Sequence, residues 1–168
     1  MIGGNVVNFL MEHEKLTYPE ALRYLARKYH IEIVEKEETA EELQIKNERE
    51  SLLALNEFAA RHFASLLKTE EGKAIGKGYF LERGLRDPSI EKFQLGYARE
   101  DKTSFTRAAL DKGFKPEYLV KSGLTIRKDD DYQFDRFHGR VIFPIHGLSG
   151  QVIGFAGRIL RKDDKTAK

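Results

Sequence analysis

A chain of 168 residues has room for one ordinary domain, or one domain with an appendage, and can bury a core. Its 40% hydrophobic and 33% charged residues argue for globular segments joined by polar ones, and the absence of cysteine excludes disulfide frameworks, thiolate metal sites and a cysteine nucleophile. The net charge of +2 hides an imbalance, 9 basic against 14 acidic side chains in residues 1–72 and 20 against 13 in residues 73–168, and the basic part suits a polyanionic partner, although such residues are more often a solvated surface.

The chain opens with two short helical patterns. Asn5 can cap NVVNFLMEHE, which sets Val6, Phe9 and Leu10 on one face. TYPE at 17–20 is a capping box, Thr17 with Glu20 and with Pro19 early in the helix. The helix it starts runs to about Tyr29 with Leu22, Leu25 and Ala26 on one side, and IEIV at 31–34 suggests a short strand. Residues 1–34 bury too little to be a domain alone. Residues 35–50 are dense in Glu and Lys and read as a charged linker or the solvated beginning of a helix.

From Ser51 the pattern is helical, with Leu52, Leu55, Ala59, Phe63 and Leu66 at three- and four-residue steps. A helix over 72–82 carries Ile75, Tyr79 and Phe80, with Gly84 placed for a left-handed stop, and Asp87-Pro88 supplies an N-cap and a first-turn proline to SIEKF. Two further helices fall at 104–112 and 116–121, each closely followed by glycine. The last third changes period: 124–127, 132–134, 141–145 and 152–160 are β-type runs separated by DDD, HG and GLSG turns, an antiparallel meander. The expected fold class is α+β, with N-terminal helices followed by a small, mostly antiparallel sheet with packed helices.

Catalytic patterns are absent. His13, His30, His62, His138 and His146 lack metal-ligand spacing, and no phosphate-cradling or nucleophile-elbow motif occurs. Asp129, Asp130 and Asp131 fit a solvated hairpin turn better than a cation site, and GKAIGKG at 72–78 fits a helix with small residues on one face better than a phosphate loop. The informative stretch is Arg136, Phe137, Arg140, Val141, Phe143, Pro144, Ile145 and then Val152, Ile153, Phe155, Gly157 and Arg158. Alternation on a strand pair sends apolar side chains to a core and guanidinium groups to the other face. Arg136 and Arg140 could pair with Asp129–Asp131 or Asp135, or hold phosphate. Phe143, Ile145, Val152, Ile153 and Phe155 read as core, as do Tyr79 and Phe80.

YFLERGL (79–85), FQLGYA (93–98), KSGL (121–124), DRFHGRVIFPI (135–145) and GQVIGFAGRIL (150–160) resemble, in order and without large gaps, the bacterial replicative DNA primases. Residues 3–29 are similar to the helical end of that family's zinc-binding domain. The resemblance implies a parent that makes short RNA primers on a DNA template, with 1–34 the remnant of the zinc-binding domain, 35–50 a linker and 51–168 the N-terminal subdomain of the RNA polymerase core. It implies no catalytic residue and no metal in this chain, since the zinc ligands lie before Gly3-Gly4 and the acidic ligands for Mg or Mn after Lys168. Arg83, Arg158 and Lys168 are carried over as contacts to single-stranded template or primer, with Arg136 and Arg140 as less defined candidates. Nucleoside triphosphates and a replicative helicase, bound through a region outside this chain, are the parent's implied partners. No membrane is expected, because no apolar run approaches the roughly 20 residues that span a bilayer, and the start lacks a basic signal-peptide region, so a cytoplasmic setting is expected. Two other readings remain open: a single-stranded nucleic-acid-binding module of a phage or mobile-element primase-helicase, and a protein-interaction scaffold formed by residues 51–122.

Overall fold

The computed structural model describes residues 5–32, 39–128 and 133–160. The chain divides into two compact units, residues 1–42 and 43–168. Among the described residues no helix is long and apolar enough to cross a membrane.

The first unit contains α1 (Val6–His13) and α2 (Tyr18–Lys28), both started by local chemistry. Asn5 Oδ1 accepts the Asn8 amide at 2.9 Å. Glu20 accepts both the Thr17 amide and the Thr17 hydroxyl, each at 2.7 Å, so the expected capping box forms. The expected apolar faces are only partly covered: Leu10, Ala21 and Ala26 are buried, whereas Val6, Phe9 and Leu22 are exposed. Two short helices have too little mutual surface to cover them. The strand expected at 31–34 is not seen at Ile31 and Glu32, and its other half lies outside the described residues.

Of the two readings of the charged stretch 35–50, the solvated beginning of a helix holds over its second part. Helix α3 spans Ala40–Leu66, so residues 40–50 are helical rather than linker. Thr39 starts it with a second capping box, its amide on Glu42 Oε2 at 2.9 Å and its hydroxyl accepting the Glu42 amide at 3.2 Å. Ala, Glu, Gln and Lys are strong helix formers that need no core to stay helical, and the T-x-x-E spacing at 39–42 was the available signal.

The second unit is built on the C-terminal half of α3. A π-helical segment, Gly72–Lys77, runs directly into α4 (Gly78–Glu82), followed by α5 (Asp87–Lys92). Gly72 and Gly76 are buried because the end of α3 and Tyr97 approach closely; a Cβ on Gly72 would lie 2.0 Å from the Leu66 carbonyl oxygen. Gly84 takes the expected left-handed stop, at φ +80°. Helix α5 begins one residue earlier than expected, with Arg86 as N-cap, which frees Asp87 to pair with Lys77 at 2.9 Å.

Strand β1 (Gly96–Ala98) precedes α6 (Ser104–Asp111) and α7 (Pro116–Lys121), then come β2 (Thr125–Arg127), β3 (Gln133–Asp135), β4 (Arg140–His146) and β5 (Val152–Ile159). The strands do not form one meander. β2 and β3 make a separate hairpin, and the main antiparallel sheet has the order β1-β4-β5. Three residues of β1 were too short a run to read as a strand; what holds them is pairing with β4, Gly96 opposite Ile142 and Ala98 opposite Arg140.

This sheet is covered on both faces. Ala98 and Ile142 join Leu55, Ala59, Phe63, Phe105 and Leu119 in one cluster under α3, α6 and α7. Tyr97 and Val141 point the other way, into a second cluster with Leu67, Phe80, Ile90 and Leu95. The period of two in a strand thus divides adjacent residues between two cores. Phe80 and Val152 are buried as expected, and Tyr79, Phe143 and Phe155 are partly buried against the clusters. Ile145 and Ile153 are not core: they are 48% and 57% exposed, beside a register shift between Ile145 and His146.

Candidate nucleic-acid interface

The candidate arginines separate into two pairs. Arg83 caps the C-terminus of α4, is exposed, and its guanidinium lies 5.1 Å from the centroid of the Tyr79 ring. That cation–π contact holds the side chain against the second core cluster, to which Tyr79 packs. Arg158 sits on β5 directly opposite Val141, a member of the same cluster, and its side chain is exposed because β5 is an edge of the sheet among the described residues. Both guanidiniums therefore border one core cluster, charged heads in water.

Arg136 and Arg140 each reach a backbone carbonyl. Arg136 donates from Nε to the Gly123 carbonyl at 2.6 Å, and its amide bonds the Leu124 carbonyl at 2.9 Å. Gly123 adopts φ +73° at the end of α7, so Arg136 ties that stop to the β2–β3 hairpin. Arg140 is half-buried on the face of the first cluster, with Nη1 3.4 Å from the Gly157 carbonyl and Nε buried without a hydrogen-bond partner. A Cβ on Gly157 would lie 3.0 Å from Arg140 Cδ, so glycine makes the space its stem occupies. Among the described residues neither arginine pairs with Asp135; Asp129–Asp131 and Lys168 lie outside them.

Asp135 has another use. Its buried carboxylate accepts the Phe105 amide at 2.7 Å, the Thr106 amide at 2.9 Å and the Thr106 hydroxyl at 2.6 Å, closing the first turn of α6. Thr106 shares a further 2.8 Å hydrogen bond with Thr125 of β2. Burial raises the Asp135 carboxyl above the ordinary aspartate value of 3.8, and those hydrogen bonds pull it part of the way back. Sequence reading missed this role because the bonds span about thirty positions.

Two other groups were also missed. Glu71 accepts the Tyr97 hydroxyl at 2.9 Å, and its other oxygen lies 3.5 Å from Arg99 Nε, close enough for an ion pair but without hydrogen-bond alignment. His62, on α3, sits edge-on to Phe63 and Phe105 with Nε2 buried and unpartnered. Desolvation holds its imidazole below 6.5, partly opposed by Asp135. Among the described residues no three His, Asp or Glu side chains converge as a metal site.

The family model for the N-terminal domain of the DNA primase catalytic core matches residues 62–168. The DNA primase of Clostridium acetobutylicum is 35% identical over 167 residues, covering 98% of this chain and 26% of the relative. The chain thus spans about a quarter of the length of such relatives. The RNA polymerase domain of Mycobacterium tuberculosis primase DnaG superposes with a TM-score of 0.66 at 35% identity, over 71% of this chain and 38% of that one. A DnaG primase catalytic domain bound to single-stranded DNA gives a TM-score of 0.63 at 28% identity, with the same 71% and 38% coverage.

Proposed function

Because the chain belongs to the DNA primase family, in the N-terminal domain of its catalytic core, we propose that it holds single-stranded template and primer for a parent enzyme that synthesises RNA primers. The observation that carries this reading is that Arg83 and Arg158, distant in sequence, stand exposed on the border of one core cluster. A relative of the same fold is a DnaG catalytic domain bound to single-stranded DNA. Arginine suits the task, since its planar fork grips phosphate oxygens without reading bases. Lys168 joins the two as a contact carried by the motif alone, while Arg136 and Arg140 act as positioning residues that set the hairpin and the sheet edge.

The parent's substrates are nucleoside triphosphates and its helicase contact lies elsewhere. Residues 1–34 extend from its zinc-binding domain. The zinc and the Mg or Mn expected of the parent are not assigned to residues of this chain, which has no cysteine. No chemical step is therefore assigned to these residues, and the chain alone should make no primer.

Fluorescence anisotropy of a labelled single-stranded oligonucleotide, titrated across a salt series, tests the reading. The Arg83→Ala/Arg158→Ala double variant should keep its stability within about 0.5 kcal/mol, as surface changes do. Its salt slope should fall by roughly 1.4, about 0.7 for each lost phosphate contact. Equal slopes for the two proteins would remove the strand track from these arginines.

A further inference from the structure

An open groove of about 500 Å³ lies between the end of α3, the π-helical segment and α5. It does not include Arg83 or Arg158. Leu67, Ile90 and Leu95 form its apolar floor, and Lys68, Lys73 and Lys77 stand around it together with Asp87 and Glu91. Lys73 and Lys77 are held at the rim by Glu70 at 3.0 Å and Asp87 at 2.9 Å, whereas Lys68 makes no ion pair among the described residues. Such exposed pairs contribute little and yield readily to a stronger anion.

Gln94 also lines the groove, and its backbone is the unusual feature. At the end of α5 the Leu95 amide bonds the Ile90 carbonyl at 2.9 Å and the Gln94 amide bonds the Glu91 carbonyl at 3.1 Å, a stop that puts Gln94 at φ +52°. The comparable stops after α4, α6 and α7 use Gly84, Gly113 and Gly123 at φ +80°, +88° and +73°. A side chain at a left-handed position costs energy that glycine avoids. In the second unit, among the described residues, Gln94 is the one non-glycine with positive φ, and it is half-buried beside an apolar floor with three lysines and two acidic residues around it. Strain retained at a pocket edge points to use of the side chain.

We propose that this groove binds a phosphorylated nucleoside, either a free nucleotide or one unit of a strand. The apolar floor takes the face of the base, and the Gln94 amide, which both donates and accepts, takes its edge. Lys68 and Lys73 take the phosphate. The volume lies in the range of small-ligand sites, which combine apolar walls with a few placed polar groups. The proposal is independent of the strand track at Arg83 and Arg158.

The test uses the whole 15N-labelled chain carrying Arg83→Ala/Arg158→Ala, so that loss of the arginine track leaves the groove to be read alone. ATP, sodium triphosphate, adenosine and an oligo-dT are titrated without divalent metal, and amide shifts are followed at Lys68, Lys73 and Gln94. ATP should move these amides with an affinity about tenfold above that of triphosphate or adenosine. A response to ATP identifies free nucleotide as the source, and a response to oligo-dT alone identifies a strand unit; either supports the site. Gln94→Gly should melt at the same temperature or roughly 2–4 °C higher, yet bind about fivefold more weakly, and Lys68→Ala/Lys73→Ala should do the same without the thermal gain. No response to any probe, triphosphate binding as well as ATP, or undiminished binding by both variants would overturn the proposal.

Discussion

The two units reach order by different means. In the first, each helix is started by bonds that reach three residues, Asn5 to Asn8 and Thr17 to Glu20, while Val6, Phe9 and Tyr29 stay exposed. In the second, the decisive contacts span tens of residues: Asp135 to α6, Tyr97 to Glu71, and a sheet whose faces feed two clusters. Local capping chooses where a helix starts, but only long-range burial holds a unit together against conformational entropy.

Breaking the Asp135 network should give the largest effect. Asp135→Ala leaves two buried amides and a hydroxyl without an acceptor and removes the anchor between β3 and α6. We expect a loss of about 3 kcal/mol, from desolvated donors and a lost cap together, in urea denaturation. Asp135→Asn should lose less, because one side-chain acceptor remains. Gly96→Ala should come next, at about 2 kcal/mol in the same measurement. Its Cβ would fall 2.6 Å from Phe63 Cβ and 2.8 Å from the Phe63 carbonyl carbon, where neither strand nor helix can withdraw without opening the first cluster.

The pH dependence of the second unit follows from two groups of opposite sign. The Asp135 carboxyl is raised on folding, so its contribution is fully present below 3.8 and is lost as pH rises through the higher folded value. His62 is lowered on folding, so its contribution is present above 6.5 and is lost as pH falls through the lower folded value. The melting temperature should therefore decline as the medium is acidified below pH 6.5, and His62→Gln should flatten that decline. An unchanged pH profile in the variant would show that His62 remains solvated in both states.

The same division decides what could be read from the sequence. Helix existence in the second unit was legible because Leu55, Ala59, Phe63 and Leu66 repeat at helical spacing, and Gly84 was legible because a left-handed stop has a strong residue preference. The α+β class followed from the change of period after residue 124. Strand β1 was not legible, since its three residues owe their conformation to β4 some forty positions later. Arg83 and Arg158 were candidates by motif, and that both border one cluster needed the sheet register, which pairs Arg158 with Val141. Arg136 and Arg140 were less defined candidates, because composition and spacing cannot say where a guanidinium ends. The carbonyls of Gly123 and Gly157 that accept from them are set by turns and strands elsewhere.

The smallest expected effect sharpens the comparison from the other side. Thr17→Ala removes the hydroxyl that donates to Glu20 but leaves the backbone amide that Glu20 also accepts, so the capping box is halved rather than abolished. The Glu20 carboxyl, now held below its ordinary value chiefly by the Thr17 backbone bond, should stay lowered but by less. Stability carried by such a lowered carboxylate is present above its unfolded value of 4.5 and fades as pH falls through the folded one. The loss should therefore appear as reduced helical ellipticity of the first unit at neutral pH. The urea midpoint of the second unit should stay in place, because every bond affected lies within four residues of Thr17. A shift of that midpoint would mean that capping in the first unit governs more than its own helix.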